Sequence, residues 1–233
     1  LGVQGEAVED PQAWLRALPA LREGSPPNLG DLDRQLSLLN ENPARRAQVA
    51  FSLDPDGRNV ATDIQAQAAP PDAWVAFLDN SGNNATGKLR YGLAWRHANL
   101  FDRDHQINLQ VISAPHAPGH PSRFTLLPNH RVQIYGLGYR VPLYAHSAML
   151  DFTLGYSNVD SGTLQDLFKV TGRGTTAAFR YTQLMRRHSG WEPRWHVGLD
   201  LRHYDSQLVF GGVNLGTPLT VRPLSVGLMA SRP

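Results

Sequence analysis

The sequence has no cysteine in its 233 residues. Disulfide frameworks, thiolate zinc sites and cysteine nucleophiles are therefore excluded together, and an oxidising compartment is compatible with the composition. It also lacks any run of about 18 apolar residues, so no segment reads as a membrane-spanning helix. A β-barrel is not excluded by that, because a spanning strand needs only about 9–11 residues apolar at alternate positions. Charge of one sign is missing too: 22 Lys+Arg stand against 20 Asp+Glu, a formal net charge of +2, which gives no electrostatic ground for a nucleic-acid partner. Lysine is almost absent, with Lys88 and Lys169 the only two, and we read the resulting arginine excess as coding bias. Hydrophobic residues reach 41%, under the roughly 45–50% of ordinary soluble domains, and they are spread out rather than clustered. The first ten residues have no basic region, apolar stretch or small-residue cleavage site, so the chain reads as unexported or as a piece of a longer protein.

What is present changes character near residue 70. Pro11 followed by Trp14, Leu15 and Leu18 predicts a short helix to about Arg22. After the turn at 23–28, Leu29, Leu32, Leu36 and Leu39 recur at helical steps, with Asp31 and Asp33 early and Pro43 as the stop. The period then becomes two: Ala47, Val49, Phe51 and Leu53 alternate with polar or small residues. Asp54-Pro-Asp-Gly57 turns the chain, and Val60, Thr62 and Ile64 alternate again. Residues 1–69 thus predict a small α+β unit with no clear first strand.

From Pro70 to the end only two-residue periodicity is found, in about eight strands. Leu89, Tyr91, Leu93 and Trp95 alternate with Arg90, Gly92, Ala94 and Arg96. The same pattern recurs at 107–111, 135–141, 150–156, 177–181 and 195–201, with 74–78 before and 219–228 after. One face is rich in Leu, Tyr, Trp and Phe; the other holds Gly, Ala, Ser, Asn, Arg and Asp. Small and charged residues suit a watery lumen, and Leu93, Leu137, Phe152 and Leu199 would face lipid. Aromatics near strand ends (Trp74, Trp95, Tyr144, Tyr156, Trp195) suit an interfacial girdle. Connections alternate, short at 100–105, 143–147 and 187–193 but long at 115–130 and 158–173, as in outer-membrane barrels. A soluble β-sandwich is the competing fold.

Three stretches together carry a family resemblance: the helix end Leu38-Leu39-Asn40-Glu41-Asn42-Pro43, the hairpin Asp79-Asn80-Ser81-Gly82 with Thr86-Gly87, and the strand Tyr135–Leu143 ending in Val-Pro-Leu. The chain resembles the junction between the last polypeptide-transport-associated (POTRA) domain and the barrel of two-partner secretion transporters, the family of haemolysin-activating outer-membrane proteins. The resemblance implies a POTRA domain at 1–69 in the periplasm. It implies the first half of a sixteen-stranded antiparallel transmembrane barrel at 70–233, and so a fragment without the barrel's second half. It implies an outer-membrane pore that secretes an unfolded partner exoprotein, with outer-membrane lipid as the other contact. A porin-like or barrel-assembly protein, or a soluble all-β binding module, are the alternatives.

By the same resemblance, the groove between the second helix and its neighbouring strand captures cargo by strand addition, which nominates Asp31, Arg34, Gln35, Val49 and Phe51. The charged residues of the small-residue face (Arg90, Arg96, Arg140, Asp151, Arg180, Asp200 and Arg202) read either as a solvated wall of ion pairs or as charge rings lining a conduit. No enzyme is indicated. No G-x-S-x-G elbow anchors a hydrolase, and Gly172-Arg173-Gly174 is too short for a phosphate loop. Neither His116 and His120 in a Pro-rich loop nor His188, His196 and His203 supply the three or four convergent ligands of a metal site. No cofactor is expected.

Overall fold

The computed structural model describes residues 2–6, 10–53, 60–81, 88–114, 132–159, 172–205, 209–210, 213–214 and 217–232. The first 68 residues form β1 (Gly2–Glu6), α1 (Pro11–Ala17), α2 (Leu29–Asn40), β2 (Arg45–Leu53) and β3 (Val60–Ala68). β3 is central in a sheet of order β1-β3-β2, parallel to β1 and antiparallel to β2. The first strand is a correction to the sequence reading. β1 holds one apolar side chain, Val3, between two glycines, so it carries no alternation to read. Gly5 is required there, because a Cβ would lie 1.7 Å from the Ala66 carbonyl oxygen.

Both helices begin at side-chain caps. Asp10 accepts from the Gln12 N–H at 2.9 Å, and Asn28 from Gly30 and Asp31. α1 stops at Ala17, short of Arg22, because Pro19 disfavours helical geometry at Leu18. The helices bury Trp14, Leu18, Leu32 and Leu39 against Ala47, Ile64 and Ala66 of the sheet.

The rest is one antiparallel sheet. Its strands are β4 (Asp72–Asp79), β5 (Arg90–Leu100), β6 (His105–Ser113), β7 (Gln133–Leu143), β8 (Ala148–Val159), β9 (Gly172–Leu184), β10 (Glu192–Asp205), β13 (Leu219–Val221) and β14 (Leu224–Ser231), with β11 (Val209–Phe210) and β12 (Val213–Asn214) a small separate pair. β4 to β10 pair in sequence order, and β13 and β14 both pair with β10. They behave as one strand interrupted at Arg222-Pro223, where proline cannot donate to the ladder. No helix among the described residues is long and apolar enough to cross a membrane, which says nothing of strands.

The register proves the alternation. One continuous row runs Trp95, Leu109, Leu137, Leu154, Ala177, Leu201, and the next runs Ile107, Tyr139, Phe152, Phe179, Leu199, Leu224. Cross-strand partners share a face, so these apolar residues form one surface. None of them is buried, and Leu154 at 52% and Leu199 at 54% are exposed. A soluble sandwich would bury such a face beneath a second sheet, and none covers it among the described residues.

Candidate functional site

The opposite face, the inner wall of the expected barrel, carries the small and charged side chains. Arg96, Asn108, Gly138, Thr153, Ala178 and Asp200 are successive partners across six strands, and Arg140, Asp151, Arg180 and Gly198 form a parallel row. With Arg90 and Arg202 at alternate positions on β5 and β10, all seven charged residues expected on this wall share it. Arg140 Nε donates to Asp151 at 2.6 Å, and Arg202 donates to Asp200. The wall carries paired charges set among small side chains.

Space on the wall is uneven. A Cβ on Gly138 would meet only Asn108, at 3.8 Å, whereas on Gly92 it would lie 2.2 Å from the ring of Phe77. Phe77 faces inward and lies across Gly92, so of the two glycines Gly138 alone has room for a side chain. His196 covers Gly227 in the same way, and His203 Nδ1 lies 2.9 Å from the Thr220 hydroxyl; no group of three or more metal-ligating side chains is found among the described residues. His116 and His120 lie outside the described residues.

The turns Phe101–Asp104, Tyr144–Ser147 and Met185–Trp191 are at one end of the sheet, where the α+β unit meets it. Arg45 at the start of β2 pairs with Asp104 at 2.9 Å, the two side chains only 10% and 4% exposed. Tyr144 donates its hydroxyl to the same carboxylate at 3.0 Å, and the Arg45 guanidinium lies 4.8 Å from the Trp14 ring centre. Burial pushes the Asp104 carboxyl above its ordinary range, with Arg45 and then Tyr144 pulling the other way. Burial, with Asp104 beside it, holds the Tyr144 phenol well above its usual value. Tyr144 therefore belongs to this joint and not to an aromatic girdle. Trp74 and Trp95, with ring centres 5.9 Å apart, and Tyr181 and Trp195, 5.4 Å apart, do cluster on the apolar face.

The end of α2 completes the joint. Asn42, 1% exposed, donates to the Ala98 carbonyl at 2.8 Å. Glu41 pairs with Arg194 and lies 3.7 Å from Arg140 of the wall. Leu38 packs on Met149 and Leu184. These contacts were not legible in sequence; the run Leu38–Pro43 was visible only as a helix end.

The residues expected to line the groove do not all face it. Gln35 is buried and accepts the Ala20 N–H at 2.9 Å, so it faces the interior and is removed from the groove. Asp31 and Arg34 pair with each other, while Arg34 lines a crevice against Leu184–Arg194. Val49 is half-buried on the core, and Phe51 is exposed at 41%. β2 is an edge strand, and its edge is specific. Ala69 N–H donates to the Ala44 carbonyl at 2.8 Å, which makes the even-numbered residues of β2 the ones bonded to β3. The N–H and C=O of Ala47, Val49, Phe51 and Leu53 therefore point outward. Asn40 takes both groups of Ala47, at 2.8 and 3.1 Å. No other element takes those of Val49, Phe51 or Leu53 among the described residues.

The sequence matches the family described as Haemolysin secretion/activation protein ShlB/FhaC/HecB over residues 61–217. The chain belongs to this haemolysin secretion/activation family. Members of this family are outer-membrane proteins. Among solved structures, CdiB from Escherichia coli is similar over 100% of this chain and 41% of its own, with TM-score 0.66 and 17% identity. CdiB from Acinetobacter baumannii is similar over 97% and 41%, with TM-score 0.60 and 16% identity. The likeness is one of fold, and the chain spans 41% of the length of each. No curated protein matches the sequence.

Proposed function

We propose that residues 1–69 are a POTRA domain in the periplasm, that residues 70–233 are the first half of an outer-membrane barrel, and that the whole protein secretes an unfolded partner exoprotein. The observation that carries this reading is the open stretch of β2 edge, Val49 to Leu53, held at the short-turn end of a sheet whose other end bears the long connections. Extended cargo adds to that edge by main-chain hydrogen bonds, which need little from its side chains. Val49 and Phe51 are the receiving residues, with Asp31 and Arg34 flanking them on α2. The inner wall, with Arg90, Arg96, Arg140, Asp151, Arg180, Asp200 and Arg202, gives a polar path. No nucleotide supplies energy outside the inner membrane, so cargo folding at the cell surface drives transport. Neither a catalytic step nor a cofactor enters this reading.

Proline scanning of β2 in the full-length protein tests it. The Val49 N–H points outward, so Val49→Pro removes a receiving donor and leaves the β3 ladder whole; Gln35→Ala alters only the interior. Calorimetry with the exoprotein's N-terminal fragment should show binding lost in Val49→Pro and kept in Gln35→Ala. Equal binding by wild type and a folded Val49→Pro variant would remove the recognition step.

A further inference from the structure

Three consecutive residues at the end of α2 reach three different parts of the molecule. Asn40 holds the N–H and C=O of Ala47, at the sheet-proximal end of the open β2 edge. Glu41 reaches Arg194 and Arg140, the latter itself bonded to Asp151 on the inner wall. Asn42 donates to the Ala98 carbonyl on β5 and accepts from the Ala44 N–H at 2.9 Å, tying the α2–β2 connection to the large sheet. An asparagine amide has one acceptor and two donors, so a short segment of this kind can bond main chain on two sides at once. The contacts come from three adjacent residues, the last of α2 and the two that follow it, so a shift of one strains the other two.

We infer that Asn40-Glu41-Asn42 is a positioning element that fixes the orientation of the β2 edge relative to the inner wall, with Glu41 as its contact to the wall itself. Asn40 also closes the edge at Ala47, so a strand pairing with β2 has only Val49, Phe51 and Leu53 to use and ends beside Glu41 and Arg140. That use of the fixed orientation rests on the secretion reading above. The orientation does not, and it is measured separately.

The measurement is a spin-label distance in the full-length protein in lipid vesicles, with any cysteine outside the 233 residues replaced, between labels at Gln48→Cys on β2 and Asn108→Cys on the inner wall, both exposed. One narrow distance peak is expected in the parent and in the control Glu23→Gln, which alters an exposed turn. Glu41→Gln and Asn42→Ala should each lose the single peak and give a broad distribution. Arg194→Gln attacks the Glu41 contact from the sheet side, so it should broaden the distribution as Glu41→Gln does, and the double variant should be no broader than either. Heat-modified gel mobility selects variants whose barrel is folded. A narrow, unshifted peak in folded Glu41→Gln and Arg194→Gln would overturn the proposal and leave the orientation to other contacts of the joint, such as Arg45 with Asp104 and Leu38 with Met149 and Leu184. Equal broadening in Glu23→Gln would overturn it as well.

Discussion

Asp104 shows how much a single residue carries at the joint. Its carboxylate is buried between Arg45 and Tyr144, and removing one member of a buried pair leaves the other charge uncompensated, at about 3–5 kcal/mol. Asp104→Ala should therefore destabilise the docked unit strongly in denaturant melts of the detergent-solubilised protein. Asp104→Ala combined with Arg45→Met should recover part of the loss, and a double variant worse than the sum of its parts would contradict the pairing. The pH dependence has a definite sign. Burial raises the folded-state pKa above the unfolded one, so the folded state binds the proton more tightly. This group's contribution is fully present below the ordinary carboxylate pKa and is lost as pH rises through the raised value. Asp104→Asn should flatten that part of the stability profile, and an unchanged profile would show that Asp104 does not titrate there. On the inner wall, Gly92→Ser must displace the Phe77 ring, whereas Gly138→Ser enters ordinary contact distance. Gly92→Ser should lower the gel unfolding temperature and Gly138→Ser should not; equal effects would mean that Phe77 is free to move.

The strands carry the account at the next scale. Leu93 lies on the apolar face, which the proposed barrel turns to lipid, and Thr153 on the opposite face, so Leu93→Arg should cost about 2–4 kcal/mol near mid-depth while Thr153→Arg costs little. Heat-resistant mobility of the full-length protein compares the two, and like behaviour would contradict the face assignment. This alternation was legible in the sequence because a two-residue period needs no knowledge of neighbours: the seven charged residues read from it share the face of the small residues. The α+β unit was less legible. β1 contributes Val3 alone to a parallel pairing that β3 supplies, and a strand ordered by its partner has no pattern of its own. Gln35 looked like surface because it is polar, yet it is buried satisfying the Ala20 N–H across a loop, a partner that helical periodicity cannot indicate. Tyr144 looked like girdle for the same reason: the buried Asp104 that claims its hydroxyl is 40 residues away in sequence.

Taken whole, the molecule has an apolar outer face, a polar inner face, and an α+β unit docked by its second helix at the end with the short turns. Under the proposed function, the edge open from Val49 to Leu53 and the wall of paired charges are two successive surfaces for one extended chain, the first offering main chain and the second small and charged side chains. The most direct test is site-specific photocrosslinking in cells secreting the partner exoprotein, with the crosslinker placed in the full-length protein at Thr153 on the inner wall or at the adjacent Phe152 on the outer face. A crosslink from Thr153 to the exoprotein in transit, with none from Phe152, is the predicted result. Crosslinks from Phe152 alone, or from neither position during active secretion, would contradict the inner wall as the path.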